Sequence, residues 1–168
     1  MGALCKLADG LLFLYFLVMV AVAPLFDAQA CLPQTLFPDF LIDLKHWYSR
    51  EYGDYLVAEK PDFFVGLVWL ELLLQWPLSL ANLYALLAGK SWFRTTCLIH
   101  GVSVFTAMVA ILAELSGSRK ASEKLLMMYY PFAGFAVLAI LRGLVLPSGK
   151  SATSTIGRRP MLARKKRA

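Results

Sequence analysis

An all-α integral membrane fold, a bundle of four transmembrane helices with a short amphipathic helix in the first loop, is what this sequence predicts. Three observations predict it. Of 168 residues, 59% are hydrophobic and 17% charged, and the mean hydropathy is +0.62, well above the roughly 45–50% apolar content of soluble domains. Four stretches reach the roughly 20 apolar residues that about 30 Å of hydrocarbon demands. The charges fall mainly between these stretches and in a basic C-terminal tail, KSATSTIGRRPMLARKKRA, which divides the chain into a membrane domain, 1–147, and a tail, 148–168.

The first span runs from Leu11 to Cys31 if Asp27 and Gln29 are tolerated. It has a competing reading as a cleaved signal peptide, because Ala28-Gln29-Ala30 fits the small-x-small pattern before a cut. Against that reading, the leading segment holds a single Lys6 balanced by Asp9, and the apolar run is long for a signal core. In the first loop, Pro38 to Tyr48 places Phe40, Leu41, Leu44, Trp47 and Tyr48 at helical spacing, with Gly53 as a stop. This reads as an amphipathic helix on the membrane, either a lid or an interfacial anchor rich in Trp and Tyr. The remaining spans run from Phe63 to Leu87, Thr96 to Leu115 and Leu125 to Leu146.

An even number of spans puts both termini on one side, and the basic tail places them in the cytosol by the positive-inside rule. The loop with Lys90 and Arg94 agrees, as does the acidic first loop on the opposite, lumenal side; Arg119, Lys120 and Lys124 run against it. A net charge of +6 resting on a terminal tail, without interleaved aromatics, gives no nucleic-acid face. Cys5, Cys31 and Cys97 are widely spaced and lack a nearby His pair, so neither a metal site nor a disulfide framework is predicted. Nothing calls for a cofactor.

Chemistry is expected where charge is embedded. Glu71 is the only formal charge between Phe63 and Gly89, and Asp27 closes the first apolar run. A charge at the bilayer centre costs about 2.5–3.5 kcal/mol on insertion scales, so such acids normally face a cavity or a partner. An interhelical hydrogen bond, averaging about 0.6 kcal/mol, hardly offsets that cost, which weighs against Glu71 as mere helix glue. Counting about 1.5 Å per residue, Glu71 lies about 13 Å and Asp27 about 8 Å below the same end of the bundle. Two acids in one site resist double ionisation; the deeper Glu71 is the candidate for the neutral partner and Asp27 for the anion. Gln75 shares a helix face with Glu71, and His100, Ser103 and Thr106 follow at i,i+3 steps on the third span. Pro24, Pro77 and Pro131 each interrupt a span and free backbone carbonyls. An anion in such a cavity suits an amphiphilic cation, with Trp69, Tyr129 and Phe132 available for packing. Glu114 and Arg142, near span ends, are expected to snorkel or pair locally.

These residues carry a resemblance. Leu14-Tyr15-Phe16-Leu17, Leu25-Phe26-Asp27 with Gln29-Ala30 and Leu32-Pro33, Lys45 with Trp47-Tyr48, Glu71 with Gln75 and Pro77, Trp92 with Arg94-Thr95, and Tyr129 with Pro131 follow one another as in the sigma-2 receptor branch of the EXPERA-domain family, which is related to the emopamil-binding sterol isomerase. The resemblance implies a four-helix endoplasmic reticulum protein, a homodimer whose lipid-facing cavity takes sterols and cationic amphiphiles. It implies that Asp27 pairs with a ligand amine, that Glu71 is the protonated acid hydrogen-bonding it, that Gln75 lines the pocket, and that Asp54 is structural. Phe132 stands where the branch has a tyrosine and Ala107 where it has a threonine. Separately, Lys165 and Lys166 occupy the positions of a dilysine retrieval signal, a receptor-read address; the other reading is a polybasic membrane-surface tail.

Two functions follow from the same acids. The first is a non-enzymatic binder of sterols and amphiphiles that regulates sterol handling; that it engages a cholesterol transporter of the Niemann-Pick type C class is what the resemblance implies. The rival is a sterol double-bond isomerase, with Glu71 and Asp27 as proton donor and cation stabiliser and His100 in reserve. A proton-coupled transporter is disfavoured because no internal repeat is visible.

Overall fold

The structure, a computed structural model, describes residues 2–145; the basic tail, with Lys165 and Lys166, lies outside them. The described residues form seven α-helices: α1 (Gly2–Leu25), α2 (Asp39–Tyr52), α3 (Tyr55–Glu59), α4 (Asp62–Leu70), α5 (Trp76–Leu87), α6 (Phe93–Gly117) and α7 (Glu123–Leu144). Helices α4 and α5 form one continuous span interrupted by a π turn at Glu71–Gln75. Four helical segments are therefore long and apolar enough to cross a membrane, running antiparallel in succession. The chain is a multi-pass, all-α membrane protein.

The first helix begins nine residues before its apolar run. It carries Asp9 through its first turns because that carboxylate is clasped by the last helix: Arg142 Nε and Nη2 donate to it at 2.6 and 3.1 Å. At its other end, Pro24 has no N–H for the carbonyl of Val20, and the indole Nε1 of Trp76 donates to that oxygen at 3.1 Å. Gly53 closes α2 in the left-handed conformation, φ 66°, its N–H returning to Ser49 O.

Two apolar cores share the bundle. At the end bearing the termini, Leu12, Tyr15, Phe16 and Met19 of α1 pack with Ala85, Phe93, Cys97 and Ala139. Here α1, α5, α6 and α7 form a closed ring. Small residues bring α6 and α7 together: a Cβ on Gly101 would meet Ala136 O and Ile140 N at 2.9 Å, and one on Gly143 would meet Leu98 Cβ at 2.6 Å. At the far end, Leu56, Val57, Phe64, Val68, Ile111, Leu115 and Leu125 form the second core.

Between the cores the second span changes course. Pro77 cannot donate to the preceding turn, and the backbone widens to an i→i−5 bond, from Trp76 N–H to Glu71 O. Below this turn α5 lies close to α1 and α6; above it α4 makes no extensive approach to either. The span is splayed open at the π turn, and α2 and α3 fold over the gap.

Candidate functional site

The splayed helices enclose a cavity of about 460 Å³. Its walls are Val22, Leu25 and Phe26 from the first span, Phe64, Leu67 and Val68 from α4, Val104, Ala107, Met108 and Ile111 from α6, and Met128, Tyr129 and Phe132 from α7. Leu41, Leu44 and Tyr48 of α2 roof it. Into this apolar space project two carboxyl groups. Asp27 starts a 3-10 turn, Asp27–Ala30, that succeeds α1, and Glu71 is the first residue of the π turn. Among the described residues neither carboxyl is hydrogen-bonded to a protein group, so both are available to whatever occupies the cavity. Gln75, at the other end of the π turn, also lines it, and its Nε2 donates to Ser103 Oγ at 3.1 Å.

Polar anchors hold the roof. Asp54, fully buried, caps α3 by accepting from Val57 N–H at 3.1 Å, and accepts the hydroxyls of Tyr129 at 2.7 Å and Tyr48 at 3.3 Å. It does not itself line the cavity; it fixes two tyrosines that do. Burial, and then the Asp54 charge, push the Tyr48 hydroxyl above the ordinary tyrosine range, so it stays a donor. Gln29 is buried beside Asp27, and its Nε2 ties α1 to the roof by donating to Leu25 O at 2.9 Å and Leu41 O at 3.2 Å.

Not every residue expected at the site stands there. His100 is fully buried outside the cavity, its Nε2 2.9 Å from Ser79 Oγ and its ring met edge-on by Tyr15 and Phe16. It reaches the site only through Ser79, whose hydroxyl donates to Gln75 O at 2.9 Å. Thr106 faces outward, its hydroxyl turned back to Val102 O at 2.9 Å. The geometry of the helix explains the separation: each i,i+3 step rotates by about 300°, so two steps carry Thr106 about 120° away from His100. Trp69 is likewise on the outer surface, 40% exposed. Arg142 pairs with Asp9, and Glu114 accepts from the Tyr55 hydroxyl at 3.1 Å.

Sequence reasoning passed over Tyr48 and the methionines Met19, Met108 and Met128 as lining groups. The Tyr48 signal was present: Leu41, Leu44 and Tyr48 recur at i, i+3 and i+7, one face of α2. Phe40 and Trp47, at i−4 and i+3 from Leu44, are 67% and 55% exposed, so an apolar outer surface adjoins the roof on the same helix.

Residues 40–143 match the EXPERA (EXPanded EBP superfamily) family. The chain is 32% identical over 116 residues to the sigma intracellular receptor 2 of Xenopus tropicalis, a match covering 68% of each chain. It is 35% identical over 109 residues to the Homo sapiens protein of that name and 34% to that of Macaca fascicularis. Those two matches cover 64% of this chain and 62% of the relatives.

Proposed function

The chain belongs to the EXPERA family, and on that premise we propose that it binds sterols and cationic amphiphiles inside the membrane and regulates sterol handling, as a sigma-2 receptor-like protein. The observation that carries this reading is the cavity that Asp27 and Glu71 share, with an otherwise almost wholly apolar lining. Its volume of about 460 Å³ lies within the roughly 300–1,000 Å³ of small-molecule sites. A ligand amine meets Asp27; Glu71, deeper and protonated, donates to the ligand or to Asp27; Tyr129 and Phe132 pack on the apolar body. Ala107 and Phe132, lacking hydroxyls, leave the α6 and α7 walls drier and favour apolar ring systems there. The reading extends to an endoplasmic reticulum location with cytosolic termini, a homodimer, and engagement of a cholesterol transporter of the Niemann-Pick type C class, all of which rest on the resemblance.

Binding of a radiolabelled cationic amphiphile to the purified full-length protein tests the assignment. Asp27→Asn is expected to weaken it by about 10–100-fold, the loss of a desolvated charge pair, with little change in thermal midpoint. Full affinity in that variant would overturn the role of Asp27. The sterol double-bond isomerase reading uses the same acids, but His100 stands outside the cavity and supplies no base to it. Restoration of product in isomerase-deficient cells expressing this chain would favour that rival.

A further inference from the structure

A second pocket, of about 500 Å³, opens on the other side of α2. It is as basic as the first cavity is acidic. Lys45, His46 and Arg50 of α2 line it together with Lys60, and among the described residues no carboxylate does. The acids that might have neutralised it are engaged elsewhere: Glu51 pairs with Lys124 at 2.5 Å and Glu59 with Lys120 at 3.5 Å. Lys45 is the decisive residue. It is only 8% exposed, yet among the described residues its ammonium has no hydrogen bond and no ion pair. Asp27, on the opposite side of α2, acts on it only at longer range. Burial, with Lys60 next in effect, draws Lys45 down to about 8, so it still carries its charge at neutral pH.

Lys60 closes α3 in the left-handed conformation, φ 51°, its N–H returning to Leu56 O; its Nζ donates to Gln29 O at 2.9 Å and keeps its other protons for the pocket. The cations outnumber any counter-charge at the pocket wall, so an occupant must be anionic.

We propose that this pocket binds a phosphate monoester group, with Lys45, Lys60 and Arg50 on its oxygens. Three cations match the nearly two negative charges of a monoester better than the single charge of a diester. The exposed Phe40 and Trp47 of the same helix place the mouth at headgroup level, so the group comes either from a monoester lipid or from free phosphate.

The test uses full-length protein in uncharged detergent, titrated with dioctanoyl phosphatidic acid, inorganic phosphate and dioctanoyl phosphatidylcholine. Phosphatidic acid is expected to bind with an affinity that falls with salt, and Lys45→Met to weaken it by about tenfold, the value of one charge-assisted hydrogen bond. Arg50→Gln/Lys60→Gln, altering two less buried cations, is expected to weaken it by at least about threefold with the thermal midpoint retained. Competition by inorganic phosphate assigns the site to the free ion as well; binding of the lipid alone assigns it to a headgroup. Equal binding of phosphatidic acid and phosphatidylcholine with no uptake of phosphate, or wild-type affinity in the double variant, would overturn the proposal.

Discussion

The two halves of this bundle bury comparable polar groups and use them differently. Toward the termini, Ser79 meets His100 at 2.9 Å and Thr96 meets Asn82 at 2.6 Å, across the close contact of α5 with α6. From the π turn outward, Asp27 and Glu71 line open space with no hydrogen-bond partner among the described residues. Polarity within a span therefore does not distinguish helix adhesion from a site. What distinguishes them is whether the backbones approach closely enough for the polar groups to reach one another. One five-residue turn, Glu71–Gln75, separates the two regimes.

The contrast can be broken most severely in the packed half. Gly143→Leu places a branched side chain where even a Cβ lies 2.6 Å from Leu98 Cβ and 2.9 Å from the Arg94 carbonyl oxygen, so the α6 backbone itself would have to move. We expect loss of folded, monodisperse protein by size-exclusion chromatography, a cost beyond the about 1–3 kcal/mol of ordinary overpacking. A bundle of wild-type thermal midpoint would show that α6 and α7 separate readily.

Asp54→Ala acts on the cavity half and comes next. It strips the cap from α3 and leaves the Tyr48 and Tyr129 hydroxyls without their acceptor, a loss of about 3 kcal/mol. The lowered thermal midpoint should be accompanied by weaker amphiphile binding, because the roof is no longer fixed. Unaltered binding would mean that the tyrosines are positioned by packing alone. The smallest effect is expected for Thr106→Val. Its hydroxyl serves only its own helix, so amphiphile affinity should change by less than about twofold and stability by about 0.5 kcal/mol at most. A larger loss of affinity would place a ligand on the outer face of α6.

Much of this was legible in the sequence, for reasons that differ by element. Span existence follows from length and hydropathy, and the four predicted spans correspond to four helical segments with ends displaced by a few residues. The exception is α1, which extends back through Lys6 and Asp9; no local signal announces that because the partner of Asp9 is 133 residues away. A kink at Pro77 was expected, but its form as a π turn depends on how α5 seats against α1. Depth counting put Asp27 and Glu71 in the same half of the bundle, and both line the cavity. The polar stripe on α6 misled because a spacing of three drifts around the helix, and only Ser103 of that stripe bonds a cavity-lining residue, Gln75. Lys45 gave no warning at all, since a lysine on an amphipathic helix ordinarily points to water.

The clasp between Asp9 and Arg142 has a bearing on biogenesis. At a synthesis rate of about 5–20 residues per second, the ribosome needs roughly 7–27 s to deliver the arginine after the aspartate. Throughout that interval the first helix is inserted with an unclaimed carboxylate near its end, held in the aqueous boundary until the last helix arrives. Closure of the ring is thus the final event of assembly, and a chain truncated before its fourth span would present that carboxylate and the bare α1 and α6 surfaces to membrane quality control.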